Sequence, residues 1–75
     1  MTRLPVVSAR DAIKAFGRVD YAADHQTGSH FVLRQSTASH RRLTVPKHAE
    51  IAKGTLRAPI REAGLTVEAF TALLD

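Results

Sequence analysis

The chain predicts an α+β fold, a small three-stranded antiparallel sheet with helices on one face, in the order α-β-β-β-α. Three observations predict it. Apolar residues recur at helical spacing towards both ends, at Ala9, Ala12, Ile13 and Phe16 and again at Leu56, Ile60 and Ala63. Between them the apolar period falls to two, in three short runs. Short polar stretches separate those runs, which suits hairpin connections and not the long crossovers that parallel strands need.

The first helix covers residues 9–16. Ser8 is placed to cap it, Asp11 stands where a capping-box acid would reach back, and Gly17 is a natural stop. Its buried residues are expected to be Ile13 and Phe16. In the first strand Val19, Tyr21 and Ala23 alternate with Asp20, Ala22 and Asp24, leaving one wet face. Thr27-Gly28 signals a turn. In the second strand Phe31 and Leu33 share one face, while His30, Val32 and Arg34 share the other. Ser36 to His40 is a polar connection. Leu43 and Val45 then alternate with Arg42 and Thr44 in a third strand, which Pro46 ends. Thr55 is the expected N-cap of the next helix and Gly64 its stop, so Pro59 falls at the fourth helical position and predicts a slight kink. Thr66 can cap a last short helix with Val67, Phe70, Leu73 and Leu74 as its apolar stripe.

At 75 residues and 44% hydrophobic, the chain supports one packed domain over residues 1–75. It is too short to enclose a deep cofactor pocket, and no cofactor is expected. The absence of cysteine excludes a disulfide framework, a thiol nucleophile and Cys-type zinc sites. The four histidines fit no familiar zinc spacing, so no metal site is expected. No apolar run approaches the roughly 20 residues that cross a bilayer, and Leu4 to Val7 is too short for a secretory signal. A cytoplasmic location without a membrane partner is the expectation.

The formal charge of +4 is unevenly placed. Residues 25–61 carry Arg34, Arg41, Arg42, Lys47, Lys53, Arg57 and Arg61 against Glu50 alone, together with His25, His30, His40 and His48. A concentrated positive field on a small domain suits a phosphate backbone; it also suits a merely solvated surface. Lys53, Arg57 and Arg61 recur every four residues and form a ladder along one helix side. Arg41, Arg42 and Lys47 extend the candidate RNA-binding set.

The most informative segment is Gln26-Thr27-Gly28-Ser29-His30. It sets a histidine directly after a glycine turn, on the strand face opposite Phe31 and Leu33. Imidazole takes and gives protons near neutral pH. RNA supplies its own nucleophile, the 2′-hydroxyl, so one imidazole in a basic surface meets much of what cleavage needs. His30 is therefore the candidate catalytic residue, Gly28 and Ser29 the turn that supports it, and His25 a possible second proton-transfer group. The plain alternative is an ordinary histidine on a wet strand.

Several stretches in order resemble the HicA-type mRNA interferase toxins. They are Leu4-Pro5-Val6-Val7-Ser8, the Gln-x-Gly-Ser-His form at residues 26–30, Val45-Pro46-Lys47-His48 through Glu50-Ile51, Lys53-Gly54-Thr55-Leu56-Arg57 and Ala63-Gly64-Leu65. The resemblance implies a double-stranded-RNA-binding-domain-like fold and metal-free cleavage of mRNA that halts translation and growth. It implies a HicB-type antitoxin as protein partner, and it maps the family's catalytic histidine onto His30. The chain departs from the family pattern at His25, where an Arg is common, at Phe16-Gly17-Arg18-Val19, and at Pro59 inside the second helix. The alternatives to an endoribonuclease are a non-catalytic RNA-binding module of the same fold and a domain whose basic face docks an acidic protein.

Overall fold

The computed structural model describes residues 3–37 and 41–74. The polar connection expected at Ser36 to His40 lies partly outside the described residues. Six elements follow one another: α1 (Ala9–Gly17), β1 (Tyr21–Gln26), β2 (His30–Gln35), β3 (Arg42–Pro46), α2 (Lys53–Glu62) and α3 (Val67–Ala72). The strands form one antiparallel sheet in the order β1-β2-β3. The α+β architecture read from the sequence is the one observed.

α1 begins as its sequence dictates. The Ser8 hydroxyl accepts a hydrogen bond from the Asp11 amide at 3.0 Å, which satisfies an otherwise orphaned donor. The buried face is Ala9, Ala12, Ala15 and Phe16, with Ile13 only partly buried. The helix runs through Gly17 and ends at Arg18 in ordinary right-handed conformation. The positive φ appears later, at Asp20 (73°), a residue type that tolerates it. That turn occupies Val19 and Asp20, so β1 starts at Tyr21 and not at Val19. The Asp20 carbonyl accepts from both the amide (2.9 Å) and the hydroxyl (3.1 Å) of Ser36, tying the entry of β1 to the exit of β2.

One sheet face presents Tyr21, Leu33, Leu43 and Val45, all buried, and the helices pack on it. Phe16, Ile51, Leu56, Ile60 and Phe70 complete the core. Phe16 packs against both Tyr21, edge to face, and Phe70, with ring centroids 6.2 and 5.0 Å away. The other sheet face is open. The segment before α1 is held by an isolated bridge between Val7 and Ile51 and by the Ala9 amide donating to the His48 carbonyl at 3.0 Å.

α2 departs from its expected start. Its N-cap is Ala52, which offers no side-chain cap, and Lys53 is the first helical residue, so Thr55 lies inside the helix. Pro59 is consequently the seventh helical position. It cannot donate to the Thr55 carbonyl, yet the helix continues past it to Glu62 with the ring buried, and the Pro59 carbonyl accepts from Ala63 at 3.0 Å. The other end matches expectation. Gly64 has φ 78°, its amide donates to the Arg61 carbonyl (2.9 Å), and the Leu65 amide donates to that of Ile60 (3.1 Å). This pair of bonds is the Schellman ending of a helix. Thr66 caps α3 by accepting from the Ala69 amide at 3.0 Å. No helix is long and apolar enough to cross a membrane among the described residues.

Candidate nucleic-acid interface

The loop between β1 and β2 is built by one hydroxyl. Thr27 Oγ1 accepts from the His30 amide (3.1 Å) and the Ser29 amide (3.4 Å), and it donates to the His30 carbonyl (3.3 Å). The Thr27 amide also donates to that carbonyl at 2.8 Å. Sequence reasoning took Thr27 as a turn marker and missed this organising role; a threonine two residues before Ser29 is the signal that pointed to it. Gly28 is exposed, and a Cβ there would meet nothing within 4 Å, so the loop tip leaves its backbone open to approach. The Ser29 carbonyl accepts from the Lys47 amide at 3.0 Å, which fixes the loop to the end of β3.

His30 opens β2, opposite Pro46 of β3, and is exposed. Its Nδ1 lies 2.9 Å from Ser29 Oγ. A hydroxyl both donates and accepts, so this contact orients the ring while allowing either neutral tautomer. By strand alternation His30 shares the open sheet face with Val32 and Arg34.

β1 brings a second histidine to that face through an irregularity. The β1–β2 register shifts between Ala23 and His25: Ala23 pairs with Leu33, and His25 pairs with Val32, leaving Asp24 as the extra residue of a bulge. Uninterrupted alternation from Ala23 would put His25 on the helix-covered face. The bulge returns it to the open one, diagonal to His30. Asp24 Oδ2 lies 2.8 Å from His25 Nδ1, and Asp24 Oδ1 lies 3.8 Å from Arg34 Nε. The hydrogen bond from His25 holds the Asp24 carboxyl below its ordinary value; burial opposes the shift, and the charges of Arg34, His25 and Arg42 add to it. A shallow open depression of about 190 Å³ borders the bulge, lined by Ala23, Asp24, His25, Gln26 and Phe31.

The candidate phosphate binders divide between the two sides of the sheet. Arg42 pairs directly with Arg34 across β2 and β3, on the same face as His30. Arg34 was not singled out from the sequence, since its partner is visible only once the register is known. Lys53, Arg57 and Arg61 are exposed on α2, in the helix layer that covers the other face. Arg41 turns away from Arg42: its Nη1 reaches to 2.6 Å of where a Gly64 Cβ would stand, at the end of α2. Lys47 follows β3, its Nζ 5.2 Å from the Phe31 ring centroid.

The open face therefore gathers two histidines with anchored Nδ1 atoms, two arginines and one carboxylate. Such a set can transfer protons and neutralise a phosphate. The family model described as the HicA toxin of bacterial toxin-antitoxin systems matches residues 9–65, from α1 through the end of α2. No curated protein matches the chain.

Proposed function

The chain belongs to the HicA toxin family of bacterial toxin-antitoxin systems, and from that premise we propose that it is a cytoplasmic, metal-independent endoribonuclease that cleaves mRNA and so stops translation and growth. One observation carries the reading: an exposed histidine, its Nδ1 held 2.9 Å from Ser29 Oγ, stands on a sheet face that also bears Arg34 and Arg42. The α-β-β-β-α order, with α3 appended, supports a double-stranded-RNA-binding-domain-like fold.

The reaction asks little of the protein. The RNA 2′-hydroxyl attacks the adjacent phosphorus, the bond to the 5′-oxygen breaks, and the products are a 2′,3′-cyclic phosphate and a 5′-hydroxyl. One proton leaves the 2′-oxygen and one reaches the 5′-oxygen. His30 is the general base or acid in this exchange, a role worth about 10²- to 10⁴-fold in rate. Arg34 and Arg42 face the phosphate and oppose its developing charge. Gly28 and Ser29 present the ring, and Lys47 lies at the same end of the sheet. Lys53, Arg57 and Arg61, with Arg41, form a second basic strip that a longer RNA reaches by passing the β3 edge. A HicB-type antitoxin fits the requirement for a protein partner that covers the open face.

The test is cleavage of an RNA transcript in EDTA by wild type and by His30→Ala. Wild type is expected to cut and the variant to bind without cutting. Cleavage by His30→Ala at the wild-type rate removes His30 from the mechanism. Wild type that binds RNA and never cuts it identifies a non-catalytic binding module.

A further inference from the structure

The proposed reaction moves two protons, and a lone His30 leaves one of them without a protein partner. The open face contains a second imidazole with a defined environment. We infer that His25, held by Asp24, is the general base that takes the proton from the 2′-hydroxyl, leaving His30 to give a proton to the departing 5′-oxygen. This inference rests on the endoribonuclease reading and adds to it a division of labour.

Position comes first. His25 pairs with Val32 across β1 and β2, and His30 precedes Val32 by two residues on the same strand, so the two are diagonal neighbours on one face. Such neighbours stand about 7–8 Å apart at the backbone, a spacing that admits one phosphodiester between two rings. Arg34 and Arg42 continue the same face beyond Val32 and Thr44. The bulge at Asp24 is what makes this possible, because it returns His25 to the face from which strict alternation would remove it.

Chemistry then separates the roles. The Asp24 carboxyl is held in its ionised form, and an ionised carboxylate only accepts hydrogen bonds. At 2.8 Å it therefore fixes the proton on His25 Nδ1, so the neutral ring carries its lone pair on Nε2, ready to accept. The same carboxylate stabilises the imidazolium once the proton arrives, as an aspartate does in a Ser-His-Asp triad. His30 has no such constraint. Ser29 Oγ can accept from its Nδ1–H, which suits the imidazolium, and that form has a second proton on Nε2 to give away, leaving a neutral ring. In the balanced step His25 Nε2 gains the 2′-oxygen proton as the new P–O bond forms, and His30 Nε2 loses its proton to the 5′-oxygen as the old P–O bond breaks. Water returns both rings to their starting states. Asp24 touches no reacting atom and is a positioning residue.

The test uses two short RNAs that contain a linkage wild type cuts, one natural and one with sulfur replacing the departing 5′-oxygen. A thiolate leaves without a proton, so the second RNA does not need a general acid. On natural RNA, His25→Ala and His30→Ala are each expected to slow cleavage by about 10²- to 10⁴-fold. On the sulfur RNA, His30→Ala is expected to recover and His25→Ala to stay slow. Asp24→Asn is expected to slow both RNAs, with partial recovery in Asp24→Glu. The exposed positions predict unchanged circular dichroism for these variants. Recovery of His25→Ala by sulfur, or its cleavage of natural RNA at the wild-type rate, overturns the inference while the endoribonuclease reading stands. Wild type that cuts no RNA, so that no such linkage is found, overturns both.

Discussion

Arg34 and Arg42 face each other directly across β2 and β3, two like charges at one register position on the open side of the sheet. A like-charged cross-strand pair is destabilising, by an amount within the roughly 0.2–1 kcal/mol range of such pairs. Asp24 offsets part of it, through a long 3.8 Å contact with Arg34 and through the more distant charge of Arg42. Arg42→Gln is therefore expected to leave the melting temperature unchanged or slightly raised. The same substitution removes a phosphate contact, so the slope of log affinity for single-stranded RNA against log salt becomes shallower by about 0.7. Arg57→Gln separates the two basic strips. It is expected to make the slope shallower for a long RNA and to leave it unchanged for a short one confined to the His30 face. An unchanged slope for Arg42→Gln on both RNAs removes the Arg34–Arg42 pair from the binding surface.

Asp24 predicts a pH dependence of stability. Its carboxyl is held below its ordinary value, first by the hydrogen bond from His25 and then by the charges of Arg34, His25 and Arg42, against the opposing effect of burial. A carboxyl with a depressed pKa binds its proton more readily in the unfolded chain. Its contribution is thus fully present above the unfolded pKa and is lost as pH falls through the lower folded value. Asp24→Asn is expected to flatten the decline in melting temperature below about pH 4 relative to wild type. Parallel wild-type and variant curves across that window would show that the Asp24–His25 contact does not persist in solution.

The beginning of α2 predicts both a silent and a stabilising substitution. Thr55 has the composition of a cap, yet it lies at the third helical position, and Thr55→Ala is expected to change stability by less than about 0.5 kcal/mol. Ala52 holds the cap position with no side-chain bond, and the first turn contains no acid. Ala52→Asp adds an acceptor for the free amides and a charge that suits the helix dipole, and is expected to stabilise by about 0.5–2 kcal/mol. Thermal melts check both. A Thr55→Ala loss as large as that expected for Ser8→Ala would relocate the helix start to where the sequence alone put it.

These cases also define what a sequence reading reaches. Ser8, Gly64 and Thr66 were legible because each satisfies backbone groups within a few residues of itself, and the strands because alternation is local. The start of α2 was not, because Ala52 offers no chemical signal and Thr55 offers a misleading one. His30 was legible as a histidine on a wet strand face. The grouping of the site was not, because it depends on pairing between distant residues. The bulge at Asp24 contains neither Gly nor Pro and is marked only by the polar run Asp24-His25-Gln26. Arg41 and Arg42 are adjacent in sequence, yet one runs to the end of α2 and the other to the open face, since neighbouring residues at a strand entry point to opposite sides.

The meeting of Arg41 with Gly64 gives the last prediction. Gly64 holds φ 78° to complete the α2 ending, and a Cβ there would stand 2.6 Å from Arg41 Nη1. Two costs of Gly64→Ala can be separated. The left-handed backbone costs an L-residue roughly 1–2 kcal/mol whatever surrounds it. The contact involves the far end of a flexible side chain, which moves aside at little cost. Gly64→Ala is therefore expected to destabilise by about 1–2 kcal/mol, equivalent to several degrees in melting temperature for a chain of this size. Nearly all of that loss should persist in an Arg41→Ala background, with a coupling below about 0.5 kcal/mol. Gly64→Asn should lose less than Gly64→Ala, because asparagine tolerates the left-handed region. If the loss instead disappears when Arg41 is removed, the guanidinium is rigidly seated at the end of α2. Arg41 would then act as part of the helix ending and drop out of the basic strip offered to RNA.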